Sequence, residues 1–304
     1  MRRILRIIGL ICVVAMVAIA LLFVSHGKER TAEQVGADKT ITILTYNSCR
    51  MGFYRKFPDN RVLHYLRRTD ADIVCLQEVD VYKNNKYLTF PELKDAMRQY
   101  PYSYYDFKIY NSRRQFGNVI YSKYPLINKH TVPYESLANI SSRCDVVIGQ
   151  DTIRLFTNHL ESNSFTRADW HVDSLTSEQL KESAHRISDK LDKARGLRRQ
   201  QAKIVKQEID KSPYPVIVVG DFNSIPLSYT YLKLKRGLRD CFLTTSSWRL
   251  GNTFVKRHLG IRIDYILCSK VLHPLQCTID HVDYSDHYPM RVTMGLSSSV
   301  PERP

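Results

Sequence analysis

Apolar residues fall in short continuous runs along most of this chain, and many of the runs stop at a polar side chain. The sharpest case is Val216-Ile217-Val218-Val219, a β-branched run without polar alternation. Such a run predicts a strand buried on both faces. Gly220 ends it and permits a sharp turn. Asp221 and Asn223 follow two residues apart, so on an extended chain they face the same way. Pro226 closes the element. One reading is an Asx-type turn that caps a strand. The other is a carboxylate and an amide aimed at one spot beyond a rigid core strand.

Other runs repeat the pattern. Ile41–Asn47 reads as a strand that ends at Asn47, and Asp72–Glu78 as a buried strand that ends at Glu78. A carboxylate there is costly to bury unless paired or bound to metal; the alternative is that it lies in water beyond the sheet. Phe116–Ser122 is strand-like, with Arg113 and Arg114 just ahead of it. Cys144–Gly149 and Thr152–His159 predict a hairpin around Gly149-Gln150-Asp151, whose second arm ends at His159. Arg262–Cys268 is a strand interrupted by Asp264, which needs a cationic or hydrogen-bonded partner. His287, just before a last strand at Met290–Met294, is the partner chosen. Helical spacing marks Arg61–Arg68, Ser177–Lys193 and Leu197–Ile209. Tyr82–Tyr105 reads as a helix between loops, and Leu227–Arg239 as helical or irregular.

Ile7–Val24 is almost wholly apolar and uncharged, just long enough to cross a bilayer, with Arg2, Arg3 and Arg6 ahead of it. The arginines predict that this end stays in the cytoplasm. The expected organisation is an anchor over 1–25, a polar linker over 26–39, a catalytic domain over 40–296 and a frayed tail over 297–304. A signal peptide, cleaved near Ala18-Ile19-Ala20 to release a secreted protein, is the alternative. The 304 residues, 43% hydrophobic and 25% charged, suit one large globular domain or two ordinary ones. Net charge is +15, which favours anionic partners such as nucleic acid, phosphorylated small molecules or lipid headgroups. Part of it sits in a basic stretch at Arg195, Arg198, Arg199, Lys203 and Lys206, a solvated helix face or a polyanion or membrane contact. The 7 cysteines contain no CxxC pair, which argues against zinc or thioredoxin-like sites, and Cys75 and Cys268 sit in apolar runs. Disulfides among the six cysteines outside the N-terminal segment stay open, and nothing points to a protein partner.

Taken together, Thr45-Tyr46-Asn47, Leu76-Gln77-Glu78, Thr157-Asn158-His159-Leu160, Gly220-Asp221-Phe222-Asn223, Arg262-Ile263-Asp264-Tyr265 and Ser285-Asp286-His287 resemble the endonuclease/exonuclease/phosphatase superfamily, the deoxyribonuclease I-like fold. The resemblance spans about residues 40 to 295. It implies a four-layered α/β (α+β) sandwich: two mostly antiparallel β-sheets face to face, helices outside, here with one N-terminal transmembrane helix added. It implies hydrolysis of phosphate esters with a divalent metal, usually Mg²⁺, with Mn²⁺ as an alternative. By the same resemblance Glu78, Asn47 and Asp286 hold metal. Asp221 orients or deprotonates the attacking water, and Asn223 donates to the phosphoryl oxygen or the nucleophile. His287 binds phosphate with Asp264 behind it, and His159 is a candidate general acid. Arg113 and Arg114 are candidates for a substrate contact that the resemblance does not align.

The expected function is therefore a membrane-anchored phosphoesterase, nuclease- or phosphodiesterase-like, with its catalytic domain outside the cytoplasm and an anionic phosphate-ester substrate. A lipid or inositol-phosphate phosphodiesterase of the same fold is one alternative. A catalytically inactive, membrane-tethered binding module is another; the presence of Glu78, Asp221 and His287 argues against it. The segment from Glu161 to about Arg195 reads as an insertion or extended helix on the active-site side.

Overall fold

A computed structural model describes residues 27–53, 59–84, 86–165, 169, 177–246, 250–256 and 259–296. The expected anchor at 7–24 and the tail at 297–304 lie outside the described residues. Among the described residues no helix is long and apolar enough to cross a membrane.

The strands, in chain order, are β1 (Lys39–Asn47), β2 (Ile73–Tyr82), β3 (Tyr102–Tyr110), β4 (Arg114–Ser122), β5 (Leu126–Val132), β6 (Ile140–Ile148), β7 (Asp151–His159), β8 (Val216–Asp221), β9 (Leu238–Asp240), β10 (Phe254–Lys256), β11 (Leu259–Ile261), β12 (Asp264–Ser269), β13 (His273–Ile279) and β14 (Met290–Leu296). The helices are α1 (Arg61–Arg68), α2 (Phe90–Ala96), α3 (Ser177–Asp210), α4 (Tyr229–Lys235) and α5 (Cys241–Thr245). One 6-stranded sheet runs β13-β14-β1-β2-β4-β3 and a second runs β5-β6-β7-β8-β12-β9. Among the described residues only β1–β2 and β7–β8 pair in parallel; the other paired strands are antiparallel.

Strand parity explains the continuous apolar runs. Ile41 and Ile43 of β1 enter the core between the sheets, together with Ile217 and Val219 of β8. Leu44 and Tyr46 face the opposite way and pack on Val62, Leu63 and Leu66 of α1. Val216 and Val218 face Ala202, Val205 and Ile209 of α3. Both faces of the central strands are therefore dry, and the layers run helix, sheet, sheet, helix. Polar pegs join the two sheets: Gln77 Nε2 donates to Thr157 Oγ1 at 3.0 Å, and Asn118 Nδ2 donates to the Ile140 carbonyl at 3.0 Å.

Several expectations change. β2 continues past Glu78 to Tyr82, with its register against β4 broken between Leu76 and Val79. Glu78 sits in that bulge at φ 54. Ser177–Asp210 is one helix rather than a pair, because Gly196 costs only about 1 kcal/mol in a helix that packing holds. The described part of residues 26–39, read as a polar linker, lies on the domain. Lys28 N donates to the Thr244 carbonyl (3.1 Å) and Arg30 N to the Leu275 carbonyl (3.0 Å). β3 occupies part of the stretch read as helix between loops, and only the short α2 there is helical. All six cysteines among the described residues are free thiols.

Gly220 adopts φ +117, and a Cβ there would stand 2.1 Å from the Asn158 carbonyl oxygen. Strand β7 approaches so closely that only glycine fits. Gly220→Ala is expected to cost about 3 kcal/mol through backbone strain and overpacking. A lower urea midpoint at unchanged slope would show it; an unchanged midpoint contradicts this reading of the turn.

Candidate active site

The strand ends collect on one edge of the sandwich. Asp221 closes β8, and its Oδ1 accepts the Asn223 backbone N–H at 2.7 Å. Asn223 Nδ2 donates to Asp221 Oδ2 at 3.2 Å and to the Leu160 carbonyl at 3.0 Å. Both readings of this stretch hold at once: an Asx turn forms, and it turns the carboxylate towards its neighbours. Parallel pairing puts His159 of β7 beside Asp221, and antiparallel pairing puts Asp264 of β12 on its other side.

Asp221 Oδ2 is the centre of the arrangement. Asn47 Nδ2, at the end of β1, donates to it at 3.0 Å and reaches Glu78 Oε1 at 3.4 Å. His287 Nε2 stands 3.7 Å from Asp221 Oδ2, and its Nδ1 donates to Asp264 Oδ2 at 2.8 Å. His159 Nε2 lies 3.5 Å from Glu78 Oε1 and 4.0 Å from Asp221 Oδ2, buried and without a hydrogen-bond partner. Asp221, Asp264 and His287 bring ligand-type atoms within 4.8 Å of one another.

The surrounding motif residues hold these groups in place. Ser285 Oγ donates to the Asn47 carbonyl at 2.9 Å and accepts the His287 N–H at 3.1 Å, which joins the last loop to β1. Thr253 Oγ1 accepts from the backbone N–H groups of Ile263 and Asp264 (3.1 and 3.0 Å). Phe254 packs edge-on against the His287 ring with centroids 5.0 Å apart. After Asn47 the chain makes a left-handed turn, with φ between 42 and 72 at Cys49, Arg50, Met51, Gly52 and Phe53. Such a conformation costs about 1–2 kcal/mol per non-glycine residue. The Cys49 N–H bond to Asn47 Oδ1 (3.1 Å) and the Asn60 Nδ2 bond to the Met51 carbonyl (2.9 Å) help to offset it.

Electrostatics divide the roles. Burial raises Asp221, with Asp264 adding to the effect, and the net position is about 6. Burial alone would lower His287, but Asp264 and Asp221 outweigh it and raise the imidazole to about 10. It therefore carries its proton at neutral pH. Burial lowers His159 despite Asp221, so this ring is neutral there. Glu78 is raised by burial, with Asp286 adding repulsion.

Glu78, Asp221, Asn223, Asp286 and His287 line a cavity of about 850 Å³, whereas Asn47, His159 and Asp264 are not part of its lining. Phe165, Ile225, Leu227 and Phe254 contribute apolar wall. Arg113 and Arg114 do not line this cavity. Arg114 Nη1 pairs with Asp80 Oδ2 at 3.0 Å, and Arg113 is exposed beside the turn between β3 and β4. Sequence reasoning missed Cys49 as a cavity residue; its place two residues after the Asn47 strand end was the available signal.

A profile of the Endonuclease/Exonuclease/phosphatase family matches residues 44–287. The chain belongs to this family. Its members share the fold at low identity. An endonuclease/exonuclease/phosphatase from Beutenbergia cavernae DSM 12333 is 17% identical, with 85% of this chain and 72% of that one covered and a TM-score of 0.59. A humanized D. rerio TDP2 is 19% identical (84% and 99% covered, TM-score 0.55). The human Nocturnin catalytic domain with bound sulfate anion is 17% identical (84% and 94% covered, TM-score 0.59). No curated protein gives a sequence match to the chain. As a member of the endonuclease/exonuclease/phosphatase family, the protein is a metal-dependent hydrolase of phosphate esters.

The residues present fit a divalent metal. Glu78 opens into the cavity with 23% of its side chain exposed, beside Asp286, and the two carboxylates repel each other. Hard oxygen donors with unbalanced negative charge suit a hard dication that keeps some of its waters. Asn47, expected among the metal ligands, gives its oxygen to the Cys49 N–H and turns its amide hydrogens to Glu78 and Asp221. As placed, it steadies the carboxylates.

Proposed function

We propose that this protein is a membrane-anchored, Mg²⁺-dependent phosphodiesterase whose catalytic domain lies outside the cytoplasm. The observation that carries the chemistry is the convergence on Asp221 Oδ2 of Asn47 Nδ2 at 3.0 Å and His287 Nε2 at 3.7 Å, with Glu78 bridged to the same Asn47. Mg²⁺ held by Glu78 and Asp286 would neutralise phosphate charge and lower the pKa of bound water. Asp264 is committed to His287, so the Asp221–Asp264–His287 trio already contains its own cation, hydrogen-bonded to Asp264 through Nδ1 and ion-paired with Asp221 across 3.7 Å through Nε2.

Protonated His287 donates to a phosphoryl oxygen and stabilises charge that builds on it. Asp221, largely ionised above pH 6, accepts the proton of the attacking water, while the Asn223 N–H bond fixes the carboxylate plane. Neutral His159 offers an N–H to the leaving oxygen from a dry position. The apolar run at 7–24, preceded by Arg2, Arg3 and Arg6, supports the anchor and its orientation.

The full-length protein in detergent, given bis(p-nitrophenyl) phosphate, oligonucleotides and phosphoinositides with Mg²⁺, is expected to cleave diesters. Silence across the series with a folded protein contradicts the proposal. Protease added to intact cells should digest the domain if the anchor has the stated orientation. Glu78→Ala is expected to raise the Mg²⁺ concentration needed for half-activation by about 100-fold, the upper end of the cost of losing an outer-shell partner. An unchanged Mg²⁺ titration would remove Glu78 from the metal site.

A further inference from the structure

Helix α3 supplies the other side of the catalytic cleft. Leu191, Arg195, Arg198 and Arg199 all line the cavity that contains Asp221 and His287. Their spacing places them on one helical face. The basic stretch read in the sequence thus divides: Lys206 pairs with Asp210 away from the cleft, while these arginines enter it.

Arg198 is the unusual member. It is 6% exposed, and its Nη1 donates to the Glu161 carbonyl (2.8 Å) and to Asn163 Oδ1 (2.9 Å), both neutral acceptors. Its Nε is buried with no partner. Burial pulls its pKa down to about 10, against the upward pull of Asp221. A desolvated guanidinium without an ion pair is costly unless an anion joins it. Arg199 stacks on the Tyr229 ring, 4.8 Å from the centroid, and Tyr229 lines the same cavity. Stacking uses the guanidinium face and leaves its edge of donors free for an oxyanion. Arg195 pairs with Asp192 at 2.8 Å on the open surface, both more than half exposed at 62% and 65%.

We propose that Arg195, Arg198 and Arg199 form a second anion subsite beside the catalytic centre, which takes a further phosphate group carried by the substrate. The proposal rests on the phosphodiesterase reading of the cleft and narrows it. Preferred substrates bear a second phosphate near the scissile one, as in a 5′-phosphorylated oligonucleotide or a phosphorylated inositol headgroup. Two or three charge-assisted donors would recognise that group, in part bidentately. The competing role for Arg198 is a strut that holds Glu161 and Asn163 on α3, a task it shares with Gln201, whose Oε1 accepts the Glu161 N–H at 2.8 Å.

The test is calorimetric binding to the full-length protein in detergent, with thymidine 3′,5′-bisphosphate against thymidine 5′-monophosphate. A second arm sets inositol 1,4-bisphosphate against inositol 1-phosphate. In at least one pair the bisphosphate should bind about tenfold more tightly, and the pair that shows this names the substrate type. Arg195→Ala/Arg199→Ala, altered at exposed positions, should bring that ratio close to one. Arg198→Lys, which keeps the charge and loses the fork, should lower it in part. Equal affinities in both pairs, or an advantage that survives in the double variant, would overturn the subsite and leave Arg198 a strut. Hydrolysis of TpT and pTpT is read separately. A bisphosphate advantage without any diester cleavage keeps the subsite and refutes the phosphodiesterase.

Discussion

The Asp221→Asn protein is expected to bind phosphodiesters and to turn them over about 10³–10⁴-fold more slowly than the wild type. The substitution preserves shape and the acceptor that holds the Asn223 N–H at 2.7 Å. It removes the charge that takes the proton of water and the base on which Asn47 and His287 converge. The same change should leave the protein at least as stable at neutral pH when chelator removes metal. Burial raises Asp221 to about 6, so the folded state favours its protonated form. The charged form present above that pH therefore costs stability, and asparagine does not carry that cost. A fall in kcat with a thermal midpoint equal to or above the wild type's supports the assignment. A comparable loss of activity and of midpoint would mean that Asp221 is structural.

The second large effect concerns the His287–Asp264 pair. His287→Ala should lower kcat/KM by about 10³-fold and Asp264→Asn by about 10²-fold, because Asp264 acts through the ring it holds at 2.8 Å. The double variant should be close to His287→Ala alone, since a residue that orients another has nothing left to orient. Additive losses would sink the dyad. The pH dependence supplies a sign. The carboxylates raise His287 from an ordinary 6.5 to about 10, so its charge stabilises the fold fully below the lower value and is lost as pH climbs to the upper. Asp264→Asn should draw the alkaline limb of the activity profile to lower pH, because the imidazolium then lacks its main support. An unmoved limb would mean that another group sets it.

Much of this site was legible because its residues stand at the ends of dry strands. Strand β8 is buried on both faces and apolar up to Val219, so Asp221, the first polar side chain after that run, marks the edge of the core. The edge strands were harder to read. β5 is buried only at Leu126 and Val132, with the residues between them exposed, so its sequence carries no apolar period. β3 alternates weakly among tyrosines, and only its first residues fall in the stretch that reads as a helix between loops. Glu78 reads as a strand end because the apolar run stops there, although β2 resumes past the bulge at that point. The arginine side of the cleft was legible as composition only. Arg195, Arg198 and Arg199 read as members of one basic stretch, yet their facing the catalytic cavity depends on α3 running unbroken past Gly196 and on how it lies across the second sheet.

The most direct measurement is the rate at which the full-length protein in detergent hydrolyses bis(p-nitrophenyl) phosphate, with Mg²⁺ and with EDTA, beside Asp221→Asn. Turnover that needs Mg²⁺ and nearly vanishes in the variant is the predicted result. Turnover that survives chelation, or that Asp221→Asn retains at wild-type rate, would contradict a metal-assisted hydrolysis centred on Asp221.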